Sequence, residues 1–178
     1  MKVFLPAILL LASPALACPP VPDTAIAQAK INAQIKAAPD EATARALGGA
    51  LWQIWTRAPD VKSQTLLDLG MSERAGYAYA RSEATLDQLV AYCPNYAEAW
   101  NQRAFTRYLR QDFGRALEDL DKALAILPTH TGALTGKALT LIGMGRMELA
   151  QDVLREAVRV NPWLSERALI VEPPGTNL

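Results

Sequence analysis

Apolar positions recur at spacings of three and four along most of the chain, the period of an amphipathic helix. Polar breaks cut that pattern into segments of helix length. Between Ala97 and Leu164 the pattern also repeats at a longer interval. Small residues fall in step: Ala99 with Ala133, Ala104 with Ala138, Ala116 with Ala150, Ala123 with Ala157. Large ones do the same, Trp100 with Leu134, Phe113 with Met147 and Leu120 with Leu154, and Pro128 falls with Pro162. Every one of these separations is 34 residues. Self-similarity at that interval marks a stack of helix–turn–helix units.

Within the first unit, Trp100, Ala104 and Tyr108 share one helical face, and Ala116, Leu120, Ala123, Leu124 and Leu127 share another. Gln111-Asp112-Phe113-Gly114 breaks the two helices apart, and Gly143-Met144-Gly145-Arg146 does so in the second unit. Glycine is poor inside a helix and favours a turn at such a break. Each second helix ends at a proline, Pro128 or Pro162, because the residue before proline is pushed out of the helical region. The alanines let helix backbones approach closely, so that a large neighbour fills the facing gap.

These residues resemble the tetratricopeptide repeat family, whose pattern is W-x2-L-G-x2-Y, then A-x3-F, a small residue and P. Trp100, Ala104, Ala116, Leu120, Ala123 and Pro128 match it, followed by Leu134, Ala138, Ala150, Leu154, Ala157 and Pro162. Arg103 and Lys137 depart from it in the leucine slot, as do Arg107 and Leu141 in the tyrosine slot. A weaker copy lies one interval upstream: Leu66, Leu69, Gly70, Tyr79, Ser82, Leu86, Leu89 and Pro94. The resemblance spans Asp60 to Leu164 and implies an all-α fold, a short right-handed solenoid with helical caps.

The expected organisation is a signal peptide over 1–17, an arm and helical hairpin over 18–59 that is a possible degenerate repeat, and a degenerate repeat over 60–96. Full repeats then cover 97–130 and 131–164, and a capping helix with a disordered tail covers 165–178. In the leader, Lys2 precedes the apolar run Val3 to Ala12, and Ala15-Leu16-Ala17 forms an A-x-A cleavage site before Cys18. That run is too short to span a bilayer. Two helices are expected before the repeats, the second carrying Leu47, Leu51, Trp52, Ile54 and Trp55. Tryptophans so close in a helix bury against a neighbour, here as a hairpin capping the stack. Asp60 reads as the N-cap of the first helix of the weak repeat, and Ser82 to Cys93 as its second helix. Asn95 reads as the next N-cap, with Glu98 three residues on as in a capping box. Trp163, Leu164 and Leu169 supply the terminal cap.

Export changes the reading of the two cysteines. An oxidising compartment permits a Cys18–Cys93 disulfide, pinning the Cys-Pro-Pro-Val-Pro arm to the solenoid. The competing reading is a lipoprotein acylated at Cys18, although Ala15-Leu16-Ala17-Cys18 only partly resembles a lipobox. Lysine and arginine total 18, equal to aspartate and glutamate, and loss of Lys2 leaves the mature chain one charge negative. Such a balance argues against a nucleic-acid partner.

No motif of catalysis occurs: no H-E-x-x-H, C-x-x-C, G-x-S-x-G or phosphate loop. One histidine, His130, reads as a polar loop residue, and one His with two distant Cys is too little for a metal. No cofactor is implied. Recognition remains. By the resemblance, the first helix of each pair lines a concave groove that takes extended peptides or a partner's helix. Carried across by position, the groove residues are Glu98, Asn101, Phe105 and Tyr108, then Thr135, Leu139 and Ile142. Only Asn101 matches the family's lysine–asparagine clamp for a C-terminal carboxylate. The function expected is that of an exported protein-interaction adaptor in the bacterial periplasm. The alternatives are a lipoprotein subunit of an envelope complex, and a small-ligand protein with a pocket near Trp52, Trp55 and Tyr77.

Overall fold

The computed structural model describes residues 17–171. The leader up to Leu16 and the tail from Glu172, for which a signal peptide and a disordered end are expected, lie outside the described residues. Eight α-helices follow one another: α1 (Ala25–Lys36), α2 (Glu41–Trp55), α3 (Val61–Ala75), α4 (Tyr79–Tyr92), α5 (Ala97–Leu109), α6 (Phe113–Ile126), α7 (Thr131–Gly143) and α8 (Met147–Val160). A 3-10 helix, Ser165–Leu169, follows. There is no strand among the described residues, and no helix is long and apolar enough to cross a membrane.

From α3 to α8 each helix packs on the next. The contact is built from small residues at the expected interval: Ala104, Ala116, Ala123, Ala138, Ala150 and Ala157 are all completely buried. In the weak repeat Gly70 takes the place of Ala104, and a Cβ there would stand 2.7 Å from Leu86 Cγ. Ser82 takes the place of Ala116, its hydroxyl donating to Gly70 O at 2.7 Å. Leu67, Leu86, Leu89 and Ala99 form one core cluster and Ala104, Leu120, Ala123 and Ala133 the next, with Trp100 packed against both. The turns inside the three units share one further property. Tyr77, Gln111 and Gly145 stand 34 residues apart, and their φ angles are 60°, 60° and 72°. Each unit therefore reverses direction through a left-handed residue, a conformation that costs a side chain about 1–2 kcal/mol.

The arginines in the leucine and tyrosine slots are paired. Arg103 meets Asp119 at 2.7 Å and Asp87 at 2.7 Å. Arg107, buried, meets Glu83 at 3.0 Å and Asp119 at 2.8 Å. Three successive helices are thus joined by charge where the family pattern uses apolar contact.

Several helix starts differ from expectation. Asp60 does cap α3, accepting from Ser63 N–H at 2.8 Å in a full capping box. Asn95 does not cap α5. The N-cap is Tyr96, without a side-chain bond, because Glu98 turns inward. The second helix of the weak repeat starts at Tyr79 rather than Ser82, placing Tyr79 level with Phe113 and Met147. The C-terminal segment forms a 3-10 turn held on α8 through Gln151, whose side chain bonds Leu169 O and Val171 N–H at 2.9 and 2.7 Å.

The hairpin of α1 and α2 sits differently from the other pairs. Its two helices pack on each other but make no helix-on-helix layer with α3. It lies instead along the edge formed by the turns between units. Ile35, Leu51 and Trp55 form its own small core, closed by Leu127 and Trp163 from the second and third of those turns. At its base, Cys18 is disulfide-bonded to Cys93, with Cα atoms 5.1 Å apart.

Candidate functional site

The first helices of the three units, α3, α5 and α7, stand side by side, and α2 leans over them. A cavity of about 340 Å³ lies between. Five expected groove residues line it: Asn101, Phe105, Tyr108, Thr135 and Leu139. Gly136 of α7 widens its floor, since a Cβ there would come within 3.1 Å of Leu120 Cδ2. Trp52 and Arg74 complete the walls, and Glu166 stands on the rim. The Arg74 guanidinium lies over the Phe105 ring, 4.5 Å from its centroid, a stacking favourable to both. Burial holds the Arg74 pKa below its ordinary value, with the nearby Glu98 charge acting the other way. Gln102, also in the wall, buries its Oε1 with no hydrogen-bond partner among the described residues. The cavity is thus largely aromatic and aliphatic, with the Arg74 cation and the polar side chains of Asn101 and Thr135 in its wall, the composition of a recognition groove.

Two expected groove residues lie elsewhere. Ile142 is half-buried on α7 and lines no part of this cavity. Glu98 is 1% exposed. It accepts from Asn101 Nδ2 at 3.2 Å, from Gln102 Nε2, and from His130 at 2.7 Å. A carboxylate so enclosed is committed to internal bonds.

His130 corrects the expectation of a surface histidine. It is 1% exposed and caps α7, its Nδ1 accepting from Ala133 N–H at 3.2 Å. That acceptance places the proton on Nε2, which donates to Glu98. Trp55 stacks on the imidazole, centroids 4.1 Å apart and planes 19° from parallel. Tyr96, one repeat interval before His130, donates its hydroxyl to Trp55 O at 2.6 Å; burial and the Glu98 and Asp68 charges push its phenol pKa upward. Trp55 Nε1 donates to Gln28 Oε1 at 2.8 Å. Two equivalent turns therefore grip one tryptophan. Helical spacing on α2 had signalled burial for Trp52 and Trp55 alike, but Trp52 is 38% exposed and faces the groove.

Beside this contact lies a second cavity, of about 320 Å³, between the arm and the hairpin, walled by Val21, Ile54, Trp55, Tyr96 and Leu127. Tyr77, grouped with the tryptophans in the sequence, lines neither cavity. Among the described residues no three His, Cys, Asp or Glu side chains are grouped to hold a metal.

Comparison with known proteins places these features. The tetratricopeptide repeat family profile matches residues 97–130. A TPR repeat-containing protein of Rhizobium etli is 38% identical over 77 residues, covering 43% of this chain and 38% of that protein. The chain thus spans less than half that relative's length. Among solved structures, the first TPR of Spaghetti (RPAP3) bound to the HSP90 peptide SRMEEVD is similar with a TM-score of 0.59 and 17% identity, over 61% of this chain and 86% of that one. The second TPR domain of human RPAP3, in complex with the HSP70 peptide SGPTIEEVD, gives 0.58 and 15%, over 61% and 90%. At these identities the likeness is one of fold.

Proposed function

We propose that this chain, whose residues 97–130 match the tetratricopeptide repeat profile, is an exported interaction adaptor holding a peptide or helix of a partner protein in the groove between α2, α5 and α7. The observation that carries this reading is the cavity itself, which five of the groove residues expected from the repeat register line together. Peptide binding by the two RPAP3 domains, as their titles state, supports the class of ligand. Export into a bacterial periplasm rests on the A-x-A leader. The Cys18–Cys93 bond supports it, because disulfides persist in oxidising compartments. The same bond uses the Cys18 thiol that a lipid would need, which favours the bridged reading. Intact mass of the exported chain separates the two: loss of two hydrogens fits the bridge, an added lipid the lipoprotein.

Capture tests the binding. Residues 18–178 serve as bait for envelope proteins, beside a bait with Asn101→Ala, Phe105→Ala and Tyr108→Ala and an unchanged helical signal. A partner held by the first and lost from the second supports the groove. Equal capture by both moves binding to another surface.

A further inference from the structure

We propose that the α1–α2 hairpin is a hinged strap across the groove, displaced by an amphipathic partner helix that carries the apolar pattern of α2. This rests on the groove being the binding site and adds how it is covered and what uncovers it.

The hairpin is fastened unevenly. Both of its covalent anchors lie at the first unit: the Cys18–Cys93 disulfide and the short link into α3 at Asp60. Those anchors adjoin, since the Tyr92 hydroxyl donates to Asp60 Oδ2 at 2.7 Å. At the far end the strap is latched by an exposed ion pair, Glu41 to Arg167 at 3.3 Å, and by Trp163. Between base and latch lies the Trp55 stack on His130.

The seam is incompletely satisfied. Trp163 Nε1, on the residue that closes the hairpin core, is buried with no hydrogen-bond partner among the described residues. Opening the seam returns it to water, which lowers the cost of release. The helix is also weak in itself. Gly48 and Gly49 stand in the middle of α2, and a Cβ at either meets nothing within 4 Å, so no close approach requires them. These are the marks of an element that moves rather than one that holds the fold.

The present occupant states the chemistry of its replacement. Leu47, Leu51 and Trp55 recur every four residues and lie in the hairpin core, with Trp55 carried onto His130 and Tyr96. Trp52, on the adjoining face, reaches over the groove. A partner helix that takes this place needs leucines at that spacing and a terminal aromatic ring to stack on His130.

The test uses the full mature chain with Arg167→Glu, and Glu41→Arg with Arg167→Glu as the rescued pair. Hydrogen exchange should rise in residues 25–55 of the single variant by about fivefold, the scale of an exposed ion pair, and return in the double variant, with α5 to α8 unchanged in both. A labelled peptide with the sequence of residues 41–57 should bind the single variant more tightly than wild type, whereas a scrambled peptide should not. Unchanged exchange in the hairpin overturns the strap. Increased exchange without peptide binding overturns the partner helix. Dimers of the single variant that exchange hairpins make the occupant a second copy and overturn it as well. Exchange needs no partner and capture needs no latch, so failure here is distinct from failure of the adaptor reading.

Discussion

The stack from α3 to α8 and the hairpin of α1 and α2 use the same ingredients to opposite effect, and their glycines show it most directly. In the stack, Gly70 and Gly143 are demanded by packing: a Cβ would come within 2.7 Å of Leu86 Cγ in the first case and of Phe113 Cζ in the second. In the hairpin, Gly48 and Gly49 face open space. The ion pairs divide in the same way. The stack buries charge and pairs it, as in Arg107 with Glu83 and Asp119, whereas the ion pairs of the hairpin, Glu41 with Arg45 and with Arg167, are exposed. A helix can be well formed in both settings. What differs is whether its neighbours would suffer if it left.

Substitutions can break or sharpen that contrast. The largest effect is expected for Arg107→Ala, which removes the buried cation between Glu83 and Asp119, leaves Arg110 and Arg115 on the first and Arg103 on the second, and should cost about 3 kcal/mol in denaturant unfolding, the low end for one partner of a buried pair. Ala116→Leu forces a larger side chain into a fully buried site between helices and should cost about 1–3 kcal/mol in a thermal melt; an unchanged melt would remove the close helix pairing from the stack. A matched pair of glycine variants is more pointed. Gly70→Ala should lower the midpoint through its clash with Leu86, whereas Gly49→Ala should stabilise the hairpin by about 0.5–1 kcal/mol through helix propensity. Loss of stability in both would erase the distinction.

The smallest effect is one of pH. Hydrogen bonds from the Ser63 hydroxyl and backbone, and from the Tyr92 hydroxyl, hold the Asp60 carboxyl below its ordinary value. Its contribution is therefore present above the unfolded carboxylate pKa of about 4 and is lost as pH falls through the lowered folded value. Asp60→Asn should lower stability slightly at neutral pH, leave it nearly unchanged below the folded pKa, and so flatten that acid limb of the stability curve.

Much of the stack was legible because one interval carries several independent signals. Small residues, large residues and prolines all return together, so α5 to α8 fall where the pattern places them. The same interval, applied more strictly, would have found more. It puts Tyr79 level with Phe113 and so starts α4 three residues before Ser82. It also puts His130 level with Tyr96, and both prove to be buried N-caps. The left-handed turn residues could not be recognised as a set, because Tyr77, Gln111 and Gly145 share a backbone angle and no chemistry. For the hairpin, periodicity identified an apolar face on α2 but had no means of naming what covers it. Which of Trp52 and Trp55 would turn to the groove is decided by tertiary contact with turns 41 and 75 residues away, at Tyr96 and His130. The groove was legible to the extent that it follows the repeat register. Arg74, Trp52 and Gln102 entered it from positions that the register does not mark.

The paired arginines also fix the order in which the units can be strung together. Arg103 and Arg107 draw their partners from the unit before as well as their own, through Asp87 and Glu83 on one side and Asp119 on the other. The next unit has Leu141 in place of Arg107, and its Lys137 reaches Asp121 at 2.7 Å. The middle unit is therefore not a portable cassette. Duplicated, it would set the Arg107 guanidinium against Leu117 where Glu83 now stands, with Asp121 alone matching Asp87, so that each unit bears, in its charges, the address at which it must be installed.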